Sequence, residues 1–391
     1  MESEQKRKLR FQTRAIHVGN EADRETGAIV PPIHVASTYV QPGPGEWGAY
    51  DYGRSGNPTR TRLEKTIASL EGGCRALIYP TGMAAIHNGL MDLNSGDHVV
   101  ASADIYGGTF RLLHGVLKPQ GVEITLVDST DLAAFEAAFT DRTKIAWIES
   151  PGNPRMTITD IAACAEIAHR HGAQLGVDNT FATPVINRPL ELGADLVMHS
   201  ATKYLAGHSD MLGGVLIVRD PELGERLYYL QNATGGVLGA FDCFLLARGL
   251  KTLQLRVRAQ SVSALKIAQW LQSLPEVASV NYPGLADHPG HEIAARQMDD
   301  AFGGMLSFEL QGTMEQAHKL VKETKLFQLA VSLGAVESLI EIPAAMSHAS
   351  YDSASRAAHG ITDSLIRLSV GLEAVEDLQA DLAQAINGAM G

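Results

Sequence analysis

Short apolar segments that alternate with helical patterns run through the middle of this chain, and they constrain its fold more than any other feature. Each segment is too short for a helix and is almost uninterrupted in its apolar character, as expected of strands buried on both faces. These segments are residues 98–100, 123–127, 144–148, 175–177, 196–198 and 215–218. Helical patterns lie between several of them, at 132–139 and 160–171. The alternation predicts an α/β fold whose mostly parallel central sheet has helices on both faces and binds ligands beyond the carboxyl ends of its strands.

The length of the chain and its changes of pattern divide it into three parts. At 391 residues it exceeds one ordinary hydrophobic core. Prolines and glycines at 31–32 and 42–45 interrupt any long element near the N-terminus, which predicts an extended arm. Near the C-terminus, a helical pattern at 262–274 and strand-like segments at 277–280 and 304–310 predict a smaller α+β domain. The predicted parts are the arm at 1–58, the α/β domain at 59–250 and the α+β domain at 251–391.

Composition and charge narrow the classes of partner. With 45% hydrophobic and 19% charged residues, the chain is typical of a globular protein. Its net charge of −12 opposes attraction to nucleic acid or to an anionic membrane, so we expect neither partner. No run of eighteen apolar residues occurs, and residues 1–10 lack the apolar core of a secretion signal, which predicts a cytoplasmic protein. The cysteines Cys74, Cys164 and Cys243 and the histidines His169 and His171 lack metal-ligand spacing, so we expect no metal and no disulfide framework.

A lysine and an aspartate carry the clearest chemical signal. Lys203 follows Ser200 and Thr202 in a short polar segment, and Asp178 directly follows the apolar residues 175–177. A lysine can form a Schiff base with an aldehyde, a carboxylate can hold a pyridine nitrogen protonated, and hydroxyls suit a phosphate monoester. A lone lysine is usually a solvated surface charge and a lone aspartate usually a cap. Their combination instead favours an enzyme that uses pyridoxal 5'-phosphate.

Seven motifs, in order along the chain, resemble those of the Cys/Met metabolism family of pyridoxal-phosphate enzymes. They are residues 52–60, 81–85, 104–109, 149–154, 177–180, 200–204 and 365–371. The family includes cystathionine γ-lyase, cystathionine γ-synthase, cystathionine β-lyase, methionine γ-lyase and the O-acylhomoserine sulfhydrylases. The likeness begins near Thr13 and reaches the C-terminus, and it implies the fold of the type I pyridoxal-phosphate transferases. Segments 284–289 and 341–350 most resemble cystathionine γ-lyase.

The resemblance implies roles for individual residues around the cofactor. Lys203 would form the Schiff base and later move protons between substrate carbons. Asp178 would pair with the pyridine nitrogen and so keep the ring able to accept electrons. Tyr106 would stack on the ring and act as an acid towards the leaving group. The other residues expected to bind the cofactor are Tyr52, Arg54, Gly82, Met83, Asn153, Thr180, Ser200 and Thr202.

The phosphate is expected to bind partly within one chain and partly between chains. Gly82 and Met83 stand where a strand gives way to a helix, so their N–H groups either simply start that helix or also bind phosphate at its N-terminus. The resemblance implies that Tyr52 and Arg54 reach the phosphate of a neighbouring subunit. It therefore implies an obligate homodimer, usually doubled to a homotetramer as a dimer of dimers.

Arg367 is the predicted contact for the substrate carboxylate. It lies in an otherwise apolar run, where an arginine is costly unless a ligand or a buried acidic partner pairs with it. Its planar guanidinium can hold a carboxylate through two parallel hydrogen bonds. The resemblance implies that Asn153 and Ser332 help to orient the same substrate carboxylate.

The substrate is less constrained than the cofactor. We expect a small sulfur amino acid, with cystathionine or a related homocysteine thioether eliminated to 2-oxobutyrate, ammonia and a thiol. Many γ-lyases and γ-synthases have a glutamate where this chain has Val331, and that glutamate is expected to meet the distal ammonium of cystathionine. Methionine γ-lyase typically has a reactive cysteine where this chain has Gly108. The alternatives are γ-replacement, as in cystathionine γ-synthase or a sulfhydrylase, and then the reactions of methionine γ-lyase or cystathionine β-lyase.

Two alternatives belong to other classes of protein. Ser209 lies in a Gly-x-Ser segment that resembles the serine-hydrolase elbow, although Met211 replaces its closing glycine. A catalytically inactive paralogue is the other alternative. Visible absorption that borohydride bleaches would separate the pyridoxal-phosphate enzyme from both.

Overall fold

A seven-stranded sheet forms the larger part of the computed structural model, which describes residues 9–349, 356 and 360–391. Its strands are β1 Arg75–Tyr79, β2 His98–Ser102, β3 Glu123–Val127, β4 Thr143–Glu149, β5 Gln174–Asp178, β6 Leu196–Ser200 and β7 Gly214–Val218. They are ordered β1-β7-β6-β5-β4-β2-β3. Strands β2 to β6 pair in parallel, which confirms the predicted α/β class and the mostly parallel sheet.

Strand β7 runs antiparallel to both of its neighbours, β1 and β6. The turns that join β6 to β7 contain no crossover helix, so the chain re-enters the sheet from the edge at which β6 ended. A parallel strand would instead need a crossover to the opposite edge. Its apolar composition matches that of the parallel strands, and for this reason the sequence pattern alone did not reveal its direction.

Both faces of this sheet are buried, because alternate residues of each strand pack into two different cores. The helices of this part are α1 Phe11–His17, α2 Pro58–Glu71, α3 Gly82–Leu90, α4 Gly107–Leu112, α5 Leu132–Ala137, α6 Ile161–Arg170, α7 Thr183–Ile186, α8 Pro221–Thr234 and α9 Ala240–Leu250. On one face Val100, Ala146 and Val197 belong to a core that includes residues of α2, α6 and α9. On the other face Val99 and Trp147 belong to a core that includes residues of α3, α4 and α8.

A second sheet and its helices form a smaller unit near the C-terminus. Its strands are β8 Val277–Asn281, β9 Met305–Leu310, β10 Gln328–Leu329, β11 Leu339–Glu341 and β12 Leu365–Ser369, in the order β10-β11-β12-β9-β8. Its helices are α10 Leu253–Gln272, α11 His291–Gln297, α12 Met314–Glu323 and α13 Val375–Met390. All pairs in this sheet except β10 with β11 are antiparallel, as expected of an α+β unit.

Helix α10 connects the two units. Leu253 and Val257 pack into the core of the large sheet, whereas Ala264 and Leu271 pack into the core of the small sheet. The amide of Gln260, between these two sets, donates to the carbonyls of Ala335 (2.8 Å) and Val370 (3.1 Å). The helix is longer than the predicted 262–274, and the division of domains at 250/251 stays a prediction.

The N-terminal part is irregular after a short first helix. Helix α1 packs on α2 of its own chain, through buried Ala15 and a bond from the Arg14 guanidinium to the Ser69 carbonyl. Asn57 then caps α2 by accepting hydrogen bonds from the second and third amides of that helix, and Pro58 takes its first position. Between these helices Val40 and Trp47 are exposed. The arm is therefore anchored at both ends and presents apolar side chains between them.

No helix among the described residues has both the length and the apolar character needed to cross a membrane.

Candidate functional site

A cleft of about 540 Å³ opens beyond the carboxyl ends of β4, β5 and β6, where the loops of the smaller unit face the large sheet. This volume lies within the range that small-molecule and cofactor sites commonly have. Eleven of the predicted site residues line it: Gly82, Met83, Tyr106, Asn153, Asp178, Thr180, Ser200, Thr202, Lys203, Ser332 and Arg367. They come from distant parts of the chain, as expected of a site at the carboxyl ends of parallel strands.

Lys203 lies in the turn that follows β6, and its amine points into the cleft. Its Nζ donates to the Ser332 hydroxyl at 2.6 Å. Burial, together with the positive charge of Arg367, lowers the pKa of Lys203 to about 8, and the charge of Glu341 opposes this shift. A lysine with this pKa holds a substantial neutral fraction near neutral pH, which is the form that reacts with carbonyl groups.

Asp178 ends β5 and accepts two hydrogen bonds from Thr180. Its Oδ1 accepts from the Thr180 N–H at 3.0 Å and from the Thr180 hydroxyl at 2.5 Å. The Thr180 oxygen in turn accepts from the Ser200 N–H at 2.8 Å, so it ties the ends of β5 and β6 together. Burial raises the pKa of Asp178, and the two hydrogen bonds from Thr180 and the charge of His199 oppose this shift. The carboxylate is thus fixed at the base of the cleft.

The N-terminus of α3 faces the same cleft. Thr81 caps it by accepting from the Ala84 N–H at 3.0 Å, which leaves the amides of Gly82 and Met83 in the first turn without carbonyl partners in the helix. A Cβ added to Gly82 would lie 2.9 Å from Met198 Cε and 3.2 Å from the Ser200 side chain. The glycine therefore keeps open a cradle of N–H groups beside a hydroxyl, a donor set that suits phosphate.

Arg367 crosses the cleft from β12 and is almost fully buried. Its Nη1 lies 3.0 Å from Glu341 Oε1 and donates to Asn153 Oδ1 at 2.9 Å, and its Nη2 donates to the Ser332 carbonyl at 2.8 Å. Ser332 has a φ of 95°, a strained conformation for a residue with a side chain. The buried acidic partner that an arginine in an apolar strand predicts is thus Glu341, opposite Arg367 in the β11–β12 pair.

Tyr106 directly precedes α4 as its N-cap residue and is 40% exposed at the cleft. Its backbone N–H donates to Glu149 Oε2 at 2.8 Å. A Cβ added to Gly108 would lie 2.4 Å from the Tyr106 ring and 2.6 Å from Met83 Sδ. Gly108, in the first turn of α4, therefore leaves room for the Tyr106 ring and Met83, and a larger side chain there would displace that ring.

Two predicted residues lie away from this cleft. Tyr52 and Arg54 are exposed, with the Arg54 guanidinium 5.5 Å from the centre of the Tyr52 ring and its Nε donating to Asn232 Oδ1 at 3.2 Å. They do not line the cleft of their own chain. Ser209 also lies outside it, exposed in a turn and without the strand–turn–helix setting of a nucleophile elbow.

Several residues with no role in the sequence-based prediction contribute to the cleft or to its walls. Glu149, Arg111 and Ser347 line it, and Glu341 supports Arg367 while accepting from the Ser347 hydroxyl at 2.5 Å. Glu149 and Glu341 belong to motifs that the sequence displays, but only strand pairing shows which charged group each of them meets.

The donor set fits pyridoxal 5'-phosphate. Lys203, with its lowered pKa, can react with the aldehyde, and the fixed carboxylate of Asp178 can pair with the pyridine nitrogen. The N–H groups that Gly82 keeps open can bind the phosphate. Within the described residues, no group of three or more His, Cys, Asp or Glu side chains is arranged to hold a metal ion.

Comparison with known proteins gives a single family. The model of the Cys/Met metabolism PLP-dependent enzymes matches residues 12–387. A cystathionine beta-lyase of Coxiella burnetii is 49% identical over 99% of this chain and 100% of its own. A cystathionine gamma-lyase of Bacillus subtilis is 49% identical over 97% of this chain and 99% of its own. The crystal structure of cystathionine gamma-lyase from Lactobacillus plantarum complexed with L-serine has a TM-score of 0.95 and 47% identity, covering 98% of this chain and 100% of that one.

Proposed function

Since the chain belongs to the Cys/Met metabolism family of PLP-dependent enzymes, we propose that it cleaves the γ-carbon–sulfur bond of cystathionine or a related homocysteine thioether. The products are 2-oxobutyrate, ammonia and a thiol. The observation that carries the proposal is the convergence of Lys203, Asp178, Tyr106 and Arg367 on one cleft. A cystathionine beta-lyase and a cystathionine gamma-lyase are equally similar to this chain, at 49% identity each, so the choice of the γ bond is our inference.

Pyridoxal 5'-phosphate is the cofactor of this enzyme, and when bound it withdraws electrons from the substrate carbons. Lys203 would remove the proton from the α-carbon of the substrate and then one from the β-carbon, as departure of a γ-substituent requires, and its lowered pKa suits both uptake and release of protons near neutral pH. Asp178 would hold the pyridine nitrogen protonated. Tyr106, exposed at the cleft, would donate the proton that the leaving sulfur needs.

Two arginines favour a substrate with two carboxylates. Arg367 lies deep in the cleft with its fork fixed by Glu341 and Asn153, and Arg111 of α4 lines the same cleft. A guanidinium binds a carboxylate through paired hydrogen bonds. Cystathionine carries one carboxylate at each end, so Arg367 would hold the reacting end while Arg111 attracts the other.

Val331 supports a second candidate, γ-replacement on an O-acylhomoserine. Its side chain is 58% exposed, and it lines the cleft together with the apolar side chains of Leu212 and Met346. These three side chains offer no charge to the distal ammonium of cystathionine, so they accept an uncharged acyl or alkyl group equally well.

Identification of the keto acid formed from cystathionine tests the proposal. The purified holoenzyme is expected to release 2-oxobutyrate, and the Lys203→Ala chain serves as the matched control. Pyruvate as the main product would replace γ-elimination by β-elimination. Product formed only when an O-acylhomoserine and a thiol are supplied together would favour γ-replacement.

The same site predicts a homo-oligomer in which each chain completes its neighbour's site. Tyr52 and Arg54 do not line the cleft of their own chain, and they lie in the N-terminal arm, which also exposes apolar side chains such as Val40 and Trp47. If these two residues bind the phosphate in a neighbouring chain, the dimer is the smallest active unit. A tetramer of two such dimers is the expected assembly.

A further inference from the structure

Two carboxyl groups lie side by side at the base of the cleft. Glu149 ends β4 and Asp178 ends β5, and the two residues are register partners in this parallel pair. Each is 6% exposed and each lines the cleft. Two carboxylates that share a buried site do not both ionise at neutral pH, because the second negative charge is repelled by the first and has lost its water.

The surrounding groups decide which of the two carries the charge. Asp178 receives two hydrogen bonds from Thr180, one of them at 2.5 Å, and donors of this kind stabilise the ionised form. Glu149 receives the Tyr106 N–H at 2.8 Å, a bond that the carbonyl oxygen of a neutral acid also accepts. The described geometry therefore favours the charge on Asp178.

The titratable groups that face Glu149 act in the same direction. Burial raises the pKa of Glu149 well above its usual range, and the negative charges of Asp178 and Asp104 add to this shift. The Tyr106 N–H and the positive charge of Arg367 oppose it. Arg367 is itself engaged by the carboxylate of Glu341 at 3.0 Å, which weakens its effect on a second acid.

We propose that Glu149 is a positioning residue that holds the one proton of the Glu149–Asp178 pair, anchoring the Tyr106 segment as a neutral acid while Asp178 alone presents a negative charge. The benefit for a pyridine nitrogen at Asp178 rests on the proposed function. A second carboxylate beside that nitrogen would compete for its proton. A neutral Glu149 supplies the hydrogen bond to Tyr106 without that competition.

Infrared spectroscopy of the full-length holoenzyme tests the position of the proton directly. We expect the carbonyl stretch of a protonated carboxylic acid at about pH 8, above the pKa of about 7 that burial gives Glu64. The Glu64→Gln chain removes any remaining contribution of that residue and serves as the background. The band should disappear in Glu149→Gln and persist in Asp178→Asn, since burial, the largest cause of the raised pKa of Glu149, remains when the charge of Asp178 is removed. A band that persists in the first variant and disappears in the second, or no band in the wild type, overturns the assignment.

Cofactor affinity gives an independent test by conservative rescue. Glutamine keeps the oxygen that accepts from Tyr106 and stays neutral, so the pyridoxal-phosphate dissociation constant of Glu149→Gln should remain within about threefold of wild type. Glu149→Ala leaves a buried N–H without a partner and should weaken binding about tenfold. Glu149→Asp, which keeps a carboxyl group but is one methylene shorter, should also weaken it. Tighter binding of pyridoxal phosphate by the Glu149→Asp chain than by the Glu149→Gln chain would overturn the assignment of a neutral acid to Glu149.

The two proposals fail in different ways. Absence of lyase activity in a holoenzyme that shows the Glu149 band would contradict the proposed reaction and leave the assignment of the proton standing. An active lyase that lacks the band would contradict the assignment of the proton and leave the proposed reaction standing.

Discussion

Lys203 should react with amine reagents at a pH far below that of an ordinary lysine. Burial, aided by the charge of Arg367, lowers the pKa of Lys203 from 10.5 to about 8. At pH 7 about one-tenth of the amine is then neutral, a fraction about 300-fold larger than that of an amine with the unshifted pKa. This ratio corresponds to a free-energy difference of about 3 kcal/mol between the two protonation equilibria. The neutral fraction sets the rate of acylation, so the shift is directly measurable.

Competitive labelling measures this pKa in the full-length chain stripped of cofactor. A trace of acetylating reagent is applied over a series of pH values, and mass spectrometry follows the peptide of Lys203 against that of the exposed Lys144. The midpoint for Lys203 should lie near 8. The midpoint does not depend on how accessible the amine is, because accessibility changes only the plateau. A Lys203 profile that rises together with that of Lys144 would refute the argument.

Two variants separate burial from charge in this prediction. Arg367→Gln removes a repelling cation and should raise the midpoint, whereas Glu341→Gln removes an attracting carboxylate and should lower it. Shifts in the opposite directions would refute the electrostatic part. The folded chain binds fewer protons than the unfolded chain between pH 8 and 10.5, so its unfolding free energy should rise with pH across that window. The Lys203→Met chain should lack this rise in thermal unfolding scans.

Three further predictions concern the cofactor, the assembly and the substrate. Asp178→Asn should lower kcat/KM more than tenfold, which is an increase of more than about 1.4 kcal/mol in the activation barrier, with little change in the midpoint of thermal unfolding. Retention of more than a tenth of the activity would count against a charged partner for the pyridine nitrogen. Mixing Arg54→Ala with Lys203→Ala chains should restore activity in verified hybrids, since one site of the pair receives both intact residues; no recovery would mean that Arg54 serves its own chain. Val331→Glu should raise the preference for cystathionine over thioethers without a distal amine by roughly 1 to 3 kcal/mol, measured as a ratio of kcat/KM values, and an unchanged ratio would exclude Val331 from contact with that amine.

The sequence was sufficient to predict the large sheet and the residues at its edge. Strand β3 has the predicted bounds, and β5 and β6 differ from the prediction by only one or two residues, because strands buried on both faces need an apolar residue at nearly every position. Asp178 and Lys203 follow such strands, so their meeting at one edge was predictable from parallel order. The cleft that they line agrees with this expectation.

The sequence could not reveal which charged groups meet each other. The pairing of Glu341 with Arg367 and of Glu149 with Asp178 depends on strand neighbours that are distant in the chain. Strand β10 has two residues and β11 has three, too few for a period of two to be recognised. Helix α12 does carry a local signal, since Thr313 and Gln316 form a capping box at its N-terminus.

Helix α10, which packs into both cores, determines where the sequences of two relatives can be joined in a chimera. A chimera joined at the predicted boundary after Leu250 would take all of α10 from one parent, so Leu253 and Val257 would face a large-sheet core from the other parent. A join between Val257 and Gln260 instead keeps each half of the helix with the core that it was selected to fill. The exchangeable units of this enzyme therefore meet inside a continuous helix, and the loop before it is the less suitable place to join two parents.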